Sequence, residues 1–282
     1  MALKFEKFDN LTVMMRELES RKNNPHMVAA NSSHRIGGNF TGTETWEEAK
    51  SLLLNGWEEP LEQLKRGVGQ NIKTNVTRSK AIPSTGIVGY APCVPNAIIG
   101  LPNSMITTQR TPSKVKAVSL TYSVGVNCGW STEEMTEAGI AALNVVNDLE
   151  LQGYRVALNV EILSVQKSGE RLCACVKVKD WRQPMDLKKI AFTVANPSML
   201  RRFGFRWLET TPLMTKDGFE WGYGEPLSNN EYETHLSIVR DSGYISKNEF
   251  FITAAMCRAE DYDTGRIMDR AGMTFMKQRK GA

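Results

Sequence analysis

The sequence predicts an α/β fold: a mostly parallel central sheet with an antiparallel edge, helices on both faces, and an N-terminal helical and extended extension. Three observations carry this. Residues 115–163 read strand, loop, long helix, glycine, strand, which is a βαβ unit and needs a parallel pair with a crossover. Residues 171–178 follow a Lys-Ser-Gly-Glu turn closely enough to pair back as a hairpin, giving the antiparallel edge. Strands and helices then keep alternating toward the C-terminus, as one α/β domain does.

Taken in order, Phe5, Phe8, Leu11, Met14, Met15 and Leu18 fall at helical spacing and predict an amphipathic helix over 11–21. A polar loop follows. Thr45-Trp46-Glu47-Glu48 is a capping box, Ala49, Leu52 and Leu53 form the apolar stripe, and Asn55-Gly56 stops the helix. A second helix is expected from Glu58 to Gly67 with Pro60 in its first turn. Its acidic start suits a packing hairpin better than a DNA-reading helix-turn-helix. Residues 81–112 hold five prolines, at 83, 92, 95, 102 and 112, and are too interrupted for a long helix yet too apolar for a disordered linker. They predict an extended segment that adds an edge strand.

In the central unit, Val115, Ala117, Val118, Leu120 and Tyr122 give the apolar run of a strand covered on both faces. Ser131-Thr132-Glu133-Glu134 starts a helix, Ile140, Leu143, Val146 and Leu149 supply its buried stripe, and Gly153 ends it before the strand 154–163. Helices are expected at 185–190, 197–205 and 231–241, a strand at 249–256 and an amphipathic helix at 261–276. The domain boundary is placed between the N-terminal extension, 1–113, and the α/β domain, 114–282.

Composition narrows the class. The chain has 282 residues, 41% hydrophobic and 23% charged, which is ordinary for a globular protein with a sizeable core. The start, MALKFEKFDN, has no apolar run of a secretory signal, and no stretch approaches the roughly 20 apolar residues of a membrane span. A cytoplasmic location without membrane association is expected. The five cysteines, 93, 128, 173, 175 and 257, are scattered and odd in number, so they read as reduced, buried small hydrophobes. A net charge of +4 and a pI of about 8.7 permit a nucleic-acid or acidic partner without demanding one.

The stretches FTGTETWEEAKSLLLNG, VGYAPCVPNAIIGLP, LELQGYRVALNV and NPSMLRRFGFRWLE carry a resemblance. A hydrophobic strand, a Ser-containing loop and a long helix ending in LELQGYRV resemble the opening of a von Willebrand factor A-type domain, a Rossmann-like sheet between helices. The wording also resembles a family of tailed-phage proteins with such a core. The resemblance covers most of residues 40–210 and is not diagnostic of an activity. It implies a metal site at the carboxyl ends of the strands, built on Asp-x-Ser-x-Ser. Here the matching positions are Ser123, Gly125 and Asn127 in TYSVGVNCGWS, so the acidic ligand is missing. A hard divalent cation wants several carboxylate and hydroxyl oxygens, so no tight metal and no cofactor is expected. Asp241 is the acidic residue considered nearby.

Other chemistries find little support. His26, His34 and His235 are far apart and adjoin no Cys, Asp or Glu at ligand spacing, which argues against zinc. There is no phosphate-binding glycine loop and no Gly-x-Ser-x-Gly elbow, and Gly222-Tyr223-Gly224 reads as a turn. Cys128 has no evident histidine partner to make it a nucleophile. The charged and aromatic cluster is Arg201, Arg202, Arg206 and Trp207, with Lys216, Trp221 and Tyr223 near it in sequence. Such residues suit stacking on single-stranded bases, or a protein interface, or a core with paired arginines. The expectation is therefore a non-catalytic, phage-type binding protein that meets a protein partner or its own copies as a homo-oligomer. The alternative is a single-stranded nucleic-acid-binding accessory protein of phage transcription or replication, and a hydrolase is a distant third.

Overall fold

The structure, a computed structural model, describes residues 2–27, 32–59, 80–111, 116–215, 218–219 and 222–273. The chain divides into two compact units, Met1–Ile72 with Ala117–Ala282, and Lys73–Lys116. This division differs from the boundary expected at 113/114, because the N-terminal segment belongs to the larger unit.

The larger unit is α/β with a mostly parallel sheet of five strands: β1 (Leu3–Phe8), β5 (Lys116–Ser123), β6 (Tyr154–Val165), β7 (Arg171–Lys179) and β8 (Phe250–Thr253), in the order β1-β7-β6-β5-β8. β1 was not expected. Leu3 to Phe8 break strict alternation at Glu6-Lys7, and they pair in parallel with Arg171 to Val176. The helical spacing expected from Phe5 onward holds only from α1 (Leu11–Ser20), whose start is fixed by Asn10 accepting from the Val13 amide at 2.9 Å. β6 and β7 form the expected antiparallel hairpin, Ser164 opposite Leu172, and β1 extends the sheet beyond it. β5 and β8 are parallel, Leu120 opposite Phe250.

Helix α2 (Trp46–Asn55) follows the cap at Thr45, which accepts from the Glu48 amide at 3.1 Å; the Glu48 carboxylate takes the Glu44 amide rather than closing the expected box on Thr45. The expected second helix of this hairpin lies almost wholly outside the described residues. In the other unit, β2 (Lys80–Gly86), β3 (Ala91–Pro92) and β4 (Met105–Thr111) make an antiparallel sheet of their own, order β2-β4-β3, with helix α3 (Val94–Ile98) between β3 and β4. The expectation of a strand added to the main sheet is corrected accordingly. Pro83 is tolerated because β2 is an edge strand.

Helix α4 (Thr132–Leu151) has a complete capping box between Ser131 and Glu134, and Gly153 turns the chain at φ 89°. It packs closely on α5 (Leu187–Ala195): a Cβ added at Gly139 would lie 2.3 Å from the Ala195 Cα. The expected helix 197–205 is a wide π-type turn, Met199–Gly204, running into α6 (Phe205–Thr210). Helix α7 (Tyr232–Asp241) lies where expected. The expected strand 249–256 is shorter, because Thr253 accepts from the Met256 amide at 3.0 Å and starts α8 (Ala254–Ala259). The last expected helix is confined to α9 (Thr264–Arg270), because Asp261 and Tyr262 take positive φ and Asp263 caps after them. Among the described residues no helix is long and apolar enough to cross a membrane.

Candidate functional site

β5 and β8 end side by side, Ser123 opposite Thr253. From β5 the chain goes by α4 to β6, its neighbour on the other side. The carboxyl ends of the parallel strands β5 and β8 therefore lie together, and open α/β sheets bind ligands outside the carboxyl ends of their strands. A cavity of about 680 Å³ lies there, lined by Gly125, Asn127 and Trp130 after β5, Glu225 and Ser228, and Arg258 after β8. Its far wall is fixed by an antiparallel bridge in which the Val165 amide donates to the Glu225 carbonyl at 3.0 Å.

Of the three loop positions expected there, Gly125 and Asn127 line the crevice, whereas Ser123 is buried at the end of β5. Asn127 folds its own loop, its side-chain oxygen accepting from the Gly129 amide at 3.0 Å. Arg258 lies 4.8 Å over the Trp130 ring and pairs with Glu134 at 2.9 Å. Among the described lining residues Glu225 is the one carboxylate, a poor donor set for a hard cation. Asp241 does not line the crevice; it accepts from Ser237 at the exposed end of α7.

The arginine and aromatic cluster is corrected by the fold: it faces inward. Arg201 is 2% exposed and donates to the carbonyls of Phe40 and Trp130, both at 2.6 Å. Arg202 is fully buried and donates to the Ser33 carbonyl at 3.0 Å, the Thr43 carbonyl at 2.8 Å and the Thr43 hydroxyl at 2.7 Å. Arg206 reaches the carbonyls of Leu18 and Arg21 and the Asn23 side chain. Trp207 donates its indole N–H to Glu6 at 2.7 Å. Tyr223 stacks on Phe205 at 3.8 Å and donates to Glu209; burial and that bond push its phenol above the usual range. The three arginines and Trp207 fasten Glu6, Leu18, Arg21, Asn23, Ser33, Phe40 and Thr43 to the body of the unit and are buried away from bases or phosphates, while Tyr223 is partly exposed. Lys216 and Trp221 lie outside the described residues.

Exposed apolar surface is concentrated elsewhere. In the smaller unit Ile87, Val88, Tyr90, Ile98 and Ile99 are each between 69% and 81% exposed, and Val94 is 58% exposed. Gly89 holds this stretch against β4, since a Cβ there would lie 2.1 Å from the Ile106 carbonyl oxygen.

One further group was missed in the sequence. His235 of α7 meets Glu161 of β6 and Cys173 of β7, all buried, with donor atoms within 4.8 Å of one another. The three come from three elements, so no local spacing announces them. Cys173, Cys175 and Cys257 are buried as expected and Cys128 lies in an exposed loop, whereas Cys93, expected to be buried, is partly exposed.

A family model described as Domain of unknown function (DUF7192) matches residues 3–264. No curated protein and no solved structure matched the sequence. The family match spans both units and nearly the whole sheet, and the chain accordingly belongs to the DUF7192 family.

Proposed function

We propose that the chain is a non-catalytic binding protein that assembles with its own copies in the cytoplasm, with a degenerate A-type domain as its α/β body. The observation that carries this is the run of exposed large apolar residues between Ile87 and Ile99. Patches of this kind on soluble domains mark interaction sites. Burying the exposed part, about three-quarters, of five such side chains contributes roughly 6–11 kcal/mol at ~1.5–3 kcal/mol for a fully buried large apolar side chain. That is the order of the cost of bringing two chains together, about 4–15 kcal/mol.

Other features support the reading. The mostly parallel sheet with its antiparallel hairpin is what the A-type resemblance implies, and the crevice sits at the carboxyl ends of the strands, where that resemblance places the family's site. The position of the acidic first ligand holds Ser123, so recognition there would proceed through side chains rather than a bridging metal. The five free cysteines suit a reducing compartment. The arginines named for a nucleic-acid surface point into the fold, which favours a protein partner, and a second copy above all.

The test is the mass in solution. Light scattering should show a mass above the 31.6 kDa of one chain, rising with concentration, and Val88→Asp with Ile98→Asp should return it to one chain. A single-chain mass for the unaltered protein at every concentration overturns self-assembly.

A further inference from the structure

Glu161, Cys173 and His235 form a closed polar pocket between β6, β7 and α7. Glu161 and His235 are both fully buried. Among the described residues, neither Glu161 oxygen nor His235 Nε2 has a hydrogen-bond partner. A buried carboxylate left in this way is strongly disfavoured unless something neutralises it. His235 Nε2 lies 3.6 Å from Glu161 Oε1. That is too long for a hydrogen bond. It is close to the roughly 3.4 Å that separates two donors on a tetrahedral ion with bonds of ~2.0–2.2 Å.

We infer that Glu161, Cys173 and His235 hold a structural, zinc-type divalent cation. The donor set is that of such an ion, a thiolate, an imidazole and a carboxylate. Glu161 has two open oxygens, so three residues supply four donor atoms. One thiolate and one carboxylate also cancel a double positive charge, and Arg171, buried beside the pocket, has Glu231 as its own counter-charge. The pocket has no solvent-exposed member, so the ion enters as the chain folds and belongs to the folded state.

Arg171 makes the inference specific. Its Nη1 lies 3.0 Å from His235 Nδ1. A guanidinium can only donate, so with Arg171 on Nδ1 a neutral ring carries its proton on Nε2, facing Glu161. An ion on Nε2 moves that proton to Nδ1. Arg171 must then turn away, and Glu231 is available 3.5 Å from its Nη2. The thiol loses its proton to solvent as the sulfur binds, so loading releases one proton and changes no oxidation state.

The full chain is produced in medium supplemented with Co²⁺ alone or Zn²⁺ alone, under reducing conditions, and passed through a weak chelator. The expected result is one metal per chain, a near-ultraviolet thiolate-to-cobalt absorption, and a higher melting temperature than for chain grown without either metal. Cys173→Ser should abolish the absorption, and Cys128→Ser should keep it. Should Cys173→Ser fail to fold, Glu161→Gln keeps the volume but removes the carboxylate ligand, and retention should fall by more than the roughly tenfold that losing even a partner outside the ligand shell costs. Nitrogen-15 spectra should show the His235 proton on Nδ1 in zinc-grown protein and on Nε2 in metal-free protein. Natively folded, metal-free protein with an unchanged melting temperature in zinc-grown samples overturns the inference. So does a cobalt band that survives Cys173→Ser. Neither outcome bears on self-association, which the light-scattering mass decides.

Discussion

Arg202→Ala tests whether the arginine cluster fastens the fold or serves a surface. In the intact protein Arg202 makes four hydrogen bonds to Ser33, Thr41 and Thr43 in a fully buried position. The loss is not the sum of four bonds. The Thr41 hydroxyl still donates to the Thr43 carbonyl at 2.6 Å, and the Thr43 hydroxyl keeps Ser198 at 2.8 Å. The Ser33 carbonyl loses its guanidinium donor, which costs ~1–3 kcal/mol for a buried acceptor. The space left by the side chain and the lost bond to the Thr43 carbonyl bring the total to roughly 3–5 kcal/mol, the usual range for breaking a buried charged network. For a domain of this size that lowers the melting temperature by roughly 6–20 °C. The control is Arg266→Ala, whose side chain is 58% exposed and pairs with an exposed Asp261; it should stay within about 0.5 kcal/mol. Calorimetric melting of both variants decides the matter. An Arg202→Ala variant that melts with Arg266→Ala would refute the fastening role.

Three further outcomes follow from the same geometry. Gly139→Ala places a methyl 2.3 Å from the Ala195 Cα and 2.5 Å from the Val194 carbonyl; α4 and α5 must part, at ~1–3 kcal/mol or more, against a helix-propensity gain of about 1 kcal/mol. A urea midpoint equal to or above that of the parent would sink this. Native alkylation should label Cys128 and Cys93 quickly and leave Cys173, Cys175 and Cys257 until the chain unfolds, since burial raises all three thiols, Cys175 to about 12. Mass spectrometry showing early label on Cys257 would contradict the packing. Arg201→Ala with Arg206→Ala should lower stability without altering retention of a fluorescent oligonucleotide at low salt; a selective loss of retention in a folded variant would restore the surface reading.

Legibility in the sequence followed the range of the interactions. The β5-α4-β6 unit was readable because each signal is local: the apolar run, the Ser131 and Glu134 box, and the positive φ that Gly153 accepts at the helix end. β1 was not. Its six residues are strand-like only because β7, far along the chain, offers a parallel edge, and nothing near Leu3 records that. The arginines were misread for a related reason. Arg-Arg-Phe-Gly-Phe-Arg-Trp has one composition whether it faces water or carbonyls. The carbonyls of Leu18, Arg21, Ser33 and Phe40 decide it, and they arrive from the other end of the chain. His235 failed the test of ligand spacing because its partners sit on two strands rather than one loop.

The choice of the apolar run over the crevice rests on what each would have to give up. In the crevice Arg258 already has Glu134 and the Trp130 face, and Asn127 already has the Gly129 amide. A ligand that recruits these groups must replace bonds of equal kind, so the net gain per contact is small. Ile87, Val88, Tyr90, Ile98 and Ile99 have nothing comparable to lose, since covering them only removes apolar surface from water. The polar crevice can tune which partner is accepted, as charged and hydrogen-bonding groups do at interfaces. Under the proposed self-assembly, the driving force for association would come from the apolar run. Asp substitutions at Val88 and Ile98 should therefore change the mass in solution. Arg258→Ala, by contrast, should leave the mass unchanged, and a loss of assembly in that variant would shift the interface to the crevice.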